Sequence, residues 1–115
     1  MNKIEILVTG RHPEIIKTVE RLINQNENWH ATVALTDEAA IELFHQHPFQ
    51  IVLLCSGIEE ANEKKLRTLF NYHEPDIIII QHYGGGSGLL SNEILEALDK
   101  KAKKNKPVIH FKDGI

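Results

Sequence analysis

Apolar residues follow two kinds of pattern along this chain, and the two patterns alternate. Compact or alternating apolar runs, typical of β-strands, occupy segments 3–8, 29–35, 49–54, 77–80 and 108–111. Between them, apolar residues recur every three or four positions, as in amphipathic helices, over segments 13–23, 37–44, 59–72 and 89–104. This succession predicts right-handed crossovers and a three-layer α/β fold, in which helices cover both faces of a five-stranded parallel sheet.

Local signals support the boundaries of the first two helices. Pro13 stands where helices favour proline, in the first position. Thr36 or Asp37 can cap the second helix with a short side-chain acceptor, and Pro48 ends that helix.

The segment 49–54 is the centre of the predicted sheet. Its residues are apolar on both faces, which suits a central parallel strand covered from above and below. Ligands of such sheets bind just beyond the carboxyl ends of the strands, and Cys55, the only cysteine of the chain, stands there. Cys55 is predicted to be a buried, slowly reacting thiol; a reactive nucleophile or redox thiol is the alternative.

Length and composition limit the function. The 115 residues suffice for a single domain, 1–115, and the 42% hydrophobic and 25% charged content is ordinary for a soluble globular protein. A net charge of −3 argues against a dedicated nucleic-acid binder. One cysteine cannot form an internal disulfide, which favours the cytoplasm, and neither a signal peptide nor a membrane span is recognisable.

The central strand resembles the corresponding strand of receiver domains from two-component response regulators, and the resemblance extends over nearly the whole chain. In a receiver this segment reads Asp-(Leu/Ile)-(Val/Ile)-Leu-Leu-Asp and ends in the aspartate that accepts a phosphoryl group. Here the segment Gln50-Ile51-Val52-Leu53-Leu54 ends in Cys55. The resemblance implies a receiver-like (flavodoxin-like) fold with strand order 2-1-3-4-5.

The other functional positions of a receiver are also changed. The acidic pair that holds magnesium maps onto Thr9 and Gly10, and the Thr/Ser after the fourth strand maps near Gln81 or His82. The lysine after the fifth strand is retained as Lys112, without the usual following proline. Since magnesium needs oxygen ligands and thiols favour softer metals, we expect no magnesium and no aspartyl phosphorylation. The resemblance then implies a signalling module that binds proteins, with no cofactor and no catalysis.

A second hypothesis is a flavodoxin-like small-ligand-binding protein or enzyme that uses Cys55 and a glycine-rich loop. The loop follows the fourth strand and comprises Gly84, Gly85, Gly86, Ser87 and Gly88 within the predicted connection 81–88. Backbone N–H groups in such a loop can hold an anion, but the segment matches neither the P-loop nor the dinucleotide fingerprint. A simple flexible connection is the other interpretation.

Two further groups of residues have weaker functional interpretations. His12, His82 and Cys55 all map to the carboxyl edge of the sheet and could in principle hold zinc, although their spacing contains no close ligand pair. Lysines at the end of the fourth helix could contact an acidic partner or simply form a solvated helix end; they are Lys100, Lys101, Lys103, Lys104 and Lys106.

The predicted order 2-1-3-4-5 has a consequence for assembly. Right-handed crossovers would place the first helix alone on one face and the other three helices on the opposite face. A receiver carries a fifth helix after its last strand, whereas this sequence ends at Ile115. The first face would then be bare over the fourth and fifth strands, which predicts a homodimer or a required partner. The rival order 3-2-1-4-5 would distribute the helices evenly and leave no bare face.

Overall fold

The computed structural model describes residues 3–83 and 87–105 of the chain. Strands and helices alternate from end to end in the described ranges, as the sequence pattern predicts. The elements are β1 (Ile4–Thr9), α1 (Pro13–Asn24), β2 (Trp29–Ala34), α2 (Asp37–Gln46), β3 (Ile51–Cys55), α3 (Glu60–His73), β4 (Ile78–His82) and α4 (Ser87–Asn105).

All strand pairs in the described sheet are parallel, and the order is β2-β1-β3-β4. This order confirms the receiver-like arrangement for these four strands, and the rival order that begins 3-2-1 is wrong. The predicted fifth strand, 108–111, lies outside the described residues. Within those residues, no helix has both the length and the apolar character needed to cross a membrane.

Two apolar cores lie on opposite faces of the sheet. On the first face, which we call the α1/α4 face, Ile6, Val8 and Leu53 of the strands pack with Ile16 of α1 and Ile94 of α4. The second face, the α2/α3 face, is built in the same way from alternate strand residues and the buried sides of α2 and α3; its members include Leu7, Val52, Leu54, Phe44, Leu66 and Phe70. The strand β3 is buried along its whole length, as its apolar sequence predicts.

The position of α4 differs from the prediction. We expected α4 beside α2 and α3, whereas its apolar stripe of Leu90, Ile94 and Leu98 packs into the core that α1 also covers. The helices are therefore distributed two and two within the described residues. Because α4 covers the region that was expected to be bare, the prediction of an exposed apolar face over β4 is wrong.

Most local boundary signals act as expected. The Thr36 hydroxyl accepts a hydrogen bond from the Ala39 N–H at 3.1 Å and caps α2, and α1 begins at Pro13. The glycine-rich connection is shorter than predicted, because Ser87 and Gly88 already belong to α4. Its other members, Gly84, Gly85 and Gly86, lie outside the described residues.

Candidate functional site at the carboxyl edge of the sheet

The carboxyl ends of three neighbouring strands form the candidate site. Thr9 ends β1, Cys55 ends β3, and β4 ends with Gln81 and His82. Thr9 is in register with Leu54 of β3, which is in turn in register with Gln81. One step further along, Cys55 is in register with His82.

Side-chain alternation divides these residues between the two faces of the sheet. Cys55 belongs to the core of the α1/α4 face, and its neighbour His82 shares that side because it follows Ile78 and Ile80 at two-residue spacing. Thr9 and Gln81 have the opposite parity and point to the α2/α3 face. The single pocket expected from the receiver positions stays a prediction for these four residues, whose side chains divide between the two faces of the sheet. Lys112, its remaining predicted member, lies outside the described residues.

Gly10 is closely packed, and a side chain there would require Ile16 to shift. A Cβ atom added there would lie 2.8 Å from the Cδ1 atom of Ile16 and 3.0 Å from the Cβ atom of Cys55. Both distances are shorter than ordinary carbon–carbon contacts of about 3.5–4.0 Å. The position that corresponds to one of the two magnesium-binding carboxylates is thus closed by apolar packing from α1 and from the thiol residue itself.

Cys55 is a buried, protonated thiol. Only 1% of its surface is exposed, as predicted for a cysteine at the end of a central strand. Burial, and to a smaller extent the negative charge of Glu93, raise the pKa of Cys55 to about 11. At neutral pH the reactive thiolate is therefore scarce, since reactivity depends on the deprotonated form.

His82 forms a buried polar contact that the sequence analysis missed. Its ring is 3% exposed, and its Nδ1 atom lies 2.6 Å from Oε1 of Glu93 on α4. Buried polar groups need such partners, because an unpaired one loses its hydrogen bonds to water. The only signal in the sequence is a histidine at the end of an apolar run, and its partner depends on which face α4 occupies.

On the α2/α3 face, polar atoms at the strand ends are buried with few partners. The Gln81 Nε2 atom donates to the backbone carbonyl of Leu54 at 3.2 Å. Gln81 Oε1 and the hydroxyl of Thr9 are buried without a hydrogen-bond partner among the described residues. A hydroxyl and an amide oxygen on this face offer no carboxylate to a magnesium ion.

Arg11, the residue after Gly10, forms a second contact that the sequence analysis missed. Its Nη2 atom donates to Oδ1 of Asp37 at 2.8 Å and lies 3.5 Å from Oε1 of Glu59. Glu59 is fully exposed, and its pKa is lowered first by its own backbone N–H and then by the side chain of Asn62. The carboxylates of Asp37 and Glu59 are thus both directed to Arg11.

The proposed zinc ligands are not brought together. His12 lies against the turn at Gly57, where the φ angle is +97° and an added Cβ would be 2.8 Å from Nε2 of His12. Gly57 suits this backbone conformation because it has no Cβ atom. Across the described ranges, no three His, Cys, Asp or Glu side chains are grouped as metal ligands would be. The zinc hypothesis therefore gains no support from this part of the chain.

A cleft of about 470 Å³ lies between α1 and the ends of β3 and β4. Cys55, Ser56, His82 and Tyr83 form its sheet side, and Glu14 contributes a carboxylate from α1. The described residues that line it include no lysine or arginine. A small neutral or cationic molecule suits this lining better than an anion such as phosphate.

The strand order, the strand register and the placement of helices on both faces of the sheet define the receiver type of α/β fold. At the positions where receivers carry acidic groups, this chain has other residues. The structure is similar to that of a CheY-like response regulator receiver domain protein from Methanospirillum hungatei JF-1, with a TM-score of 0.68 and 14% identity over 90% of this chain and 100% of that chain. It is also similar to the non-phosphorylated receiver domain of the stress response regulator RcsB from Escherichia coli, with a TM-score of 0.59 and 15% identity over 84% of this chain and 76% of that chain.

These comparisons confirm the resemblance at the level of the fold. No protein-family model matches the chain, and no curated protein matches it. At 14–15% identity, a similar fold can serve a different function. The function must therefore be argued from the residues at the carboxyl edge.

Proposed function

We propose that this protein is a receiver-like signalling module that binds protein partners and is not phosphorylated at the receiver's aspartate position. Gly10 carries the proposal, because a glycine packed closely against Ile16 and Cys55 offers no carboxylate at the place where receivers hold magnesium. The four described strands have the order of a receiver, and Thr9, Gly10 and Cys55 carry no carboxylate.

The residues present do not fit a magnesium ion. Thr9 points to one face of the sheet and Cys55 to the other, and Gly10 has no side chain. Magnesium requires an octahedron of oxygen ligands, usually with carboxylates among them. A phosphoryl group arriving at Cys55 would meet a buried neutral thiol and the nearby charge of Glu93, and the described residues that line the adjacent cleft include no lysine or arginine to offset its charge.

The proposed partners are proteins, including a second copy of the chain. A net charge of −3 argues against nucleic acid, and the single cysteine favours a reducing compartment, so we place the module in the cytoplasm. A homodimer remains part of the proposal on a new basis. The bare face has been excluded over β4, and β4 forms an edge of the described sheet.

Incubation with acetyl phosphate and magnesium, followed by intact-mass measurement, tests the absence of phosphorylation. We expect the mass to stay that of the unmodified chain while a phosphorylatable receiver treated in parallel gains one phosphoryl group. A phosphorylated species that disappears in a Cys55→Ala variant would contradict the proposal.

The alternative function, binding or conversion of a small ligand, is supported by the cleft that reaches Cys55 and His82. The high pKa of the thiol speaks against a nucleophile, and the predicted anion loop has only Ser87 and Gly88 within the described residues. Labelling of the native protein by a thiol reagent separates the two functions. We expect slow labelling at neutral pH, and labelling as fast as that of a free thiol would favour the alternative.

A further inference from the structure

The solvent side of α2 and α3 carries opposite charges on its two helices. α2 contains no lysine or arginine, and its Glu38 and Glu42 are exposed. α3 presents Lys64 and Lys65, which are exposed as well. None of these four side chains forms an ion pair with another residue of the ranges 3–83 and 87–105. An acidic stripe and a basic stripe therefore stand open to solvent on neighbouring helices.

An exposed aromatic residue adjoins the basic stripe. Tyr72 of α3 is 81% exposed, and tyrosine is one of the residues enriched at protein interfaces. A depression of about 600 Å³ begins beside it, and the described residues that line this depression carry no carboxylate. They are Lys64, Lys65, Thr68, Leu69, Tyr72 and His73. A partner suited to this part of α3 brings carboxylates for the lysines and a contact surface for the tyrosine ring.

The two charged stripes lie at the same level along the helices. α2 and α3 each follow a strand of one parallel sheet and pack into the same core, so they run side by side in the same direction. The ring centroids of Phe44 and Phe70 lie 4.5 Å apart and mark where the helices meet. Six residues before each of these rings stand Glu38 on α2 and Lys64 on α3. The acidic stripe is therefore level with the basic stripe.

A second copy of the chain matches this surface. A two-fold axis along the helices, between α2 and α3, places α2 of one copy opposite α3 of the other at the same level. Glu38 of each copy then faces Lys64 and Lys65 of the other, and the symmetry repeats every contact. An axis across the helices would instead place α2 opposite α2, where like charges repel. The distribution of charge therefore favours one arrangement of the two copies.

We propose that two copies of the chain associate through this surface, with α2 of each copy packed on α3 of the other. The charged pairs fix the orientation, and Tyr72 supplies contact area. This inference deepens the homodimer of the proposed function and rests on it, and it places the interface on two helices rather than at the edge of β4. It is independent of phosphorylation, so the result with acetyl phosphate and the result of the following experiment can fail separately.

Charge reversal in the full chain tests this interface. One double variant, Lys64→Glu with Lys65→Glu, makes both stripes acidic, and the other, Glu38→Lys with Glu42→Lys, makes both basic. In light scattering we expect twice the 13.1 kDa of one chain for the wild type, and for each variant alone a dissociation constant at least about tenfold higher. An equal mixture of the two variants should form a heterodimer, because acidic helices then face basic helices in both contacts.

Control variants separate this interface from a general effect of charge. Lys3→Glu with Lys17→Glu changes the net charge by the same amount at exposed positions elsewhere and should leave the dimer unchanged. Tyr72→Ala changes a residue outside the buried core and should weaken the dimer, whereas Tyr72→Phe should weaken it less. Circular dichroism of each variant checks that it is folded.

The outcomes that would overturn the proposal are distinct. A monomeric wild type would remove the homodimer and leave the basic stripe to an acidic partner of another kind. A dimer that persists in both charge-reversal variants, or that weakens equally in the Lys3 and Lys17 control, would place the interface elsewhere. Two folded, monomeric variants that form no heterodimer when mixed would contradict the pairing of α2 with α3.

Discussion

At position 10, a methyl group would lie closer to Cys55 and Ile16 than ordinary carbon–carbon contacts allow, so a neighbour would have to shift. A Cβ atom would lie 2.8 Å from Ile16 Cδ1, and an aspartate side chain begins with that same atom. The glycine at this position, where a receiver has an acidic residue, therefore fits the close packing of α1 against the sheet. An aspartate at this position would require Ile16 to move, and Thr9 would still lack the second carboxylate.

Gly10→Ala tests this packing. We expect the free energy of unfolding to fall by about 1–3 kcal/mol, as for other overpacked cores. Ile16→Val removes the Cδ1 atom that the new methyl group would meet, so the double variant should recover part of the loss. Urea unfolding of the two single variants and the double variant measures this coupling. Strictly additive losses would show that Ile16 does not close the site.

The buried thiol of Cys55 makes stability depend on pH in the alkaline range. Because the pKa of Cys55 is raised to about 11, the folded state binds its proton more tightly than the unfolded chain, whose thiol has a pKa of about 8.5. The resulting stabilisation is complete below about pH 8 and is lost as the pH rises through 11.

Cys55→Ala removes this dependence and serves as the reference protein. We expect the difference in unfolding free energy between wild type and variant to fall by about 2–3 kcal/mol from about pH 8 to pH 11. Other titrating groups are common to both proteins and cancel in the difference. Parallel stability curves over this range would contradict the burial of the thiol.

Among the elements, α4 has the largest effect on the site. Its packing on the α1/α4 face brings Glu93 to His82 and places a carboxylate near Cys55. If α4 packed on the α2/α3 face instead, Glu93 would reach neither His82 nor Cys55. The chemistry at the carboxyl edge therefore depends on a choice of face that the local sequence of α4 does not determine.

A pair of neighbouring residues on α4 tests its packing. Ile94 is fully buried and Leu95 is 53% exposed. We expect Ile94→Ala to cost about 2–5 kcal/mol and the matched Leu95→Ala to cost less than about 0.5 kcal/mol. Methyl NOEs from Ile94 identify the face and should reach the core that contains Leu53. NOEs to Phe70 instead would place the helix on the opposite face.

The elements themselves could be predicted because their patterns are local. Segment 49–54 predicts a strand close to the observed Ile51–Cys55, since its apolar run suits only a covered position. The burial of Cys55 follows from the same run. The sheet offers two apolar faces, and the apolar side of α4 can pack on either one. The His82–Glu93 contact forms only on one of them. The choice between the faces is a property of the whole sheet and leaves no local signal.

For the whole molecule, the proposal that the carboxyl edge binds neither magnesium nor phosphate implies that these ligands drive no conformational switch. A ligand shifts a conformational equilibrium only by its difference in affinity for the two states. Without bound magnesium or phosphate, the proposed module presents constant surfaces to its partners. The lysines of α4 are part of one such surface, and their contact with an acidic partner remains a prediction.

The most direct test of the central claim is a chemical-shift titration of the full chain with magnesium and beryllofluoride, which mimics a phosphoryl group. Magnesium chloride and sodium fluoride added separately serve as controls for ionic strength, and a phosphorylatable receiver serves as the positive control. We expect no saturable shifts at Thr9, Gly10 or Cys55 beyond those in the salt controls. Saturable shifts clustered around Cys55 would contradict the account, because they would show that this edge still holds magnesium and a phosphoryl-like group.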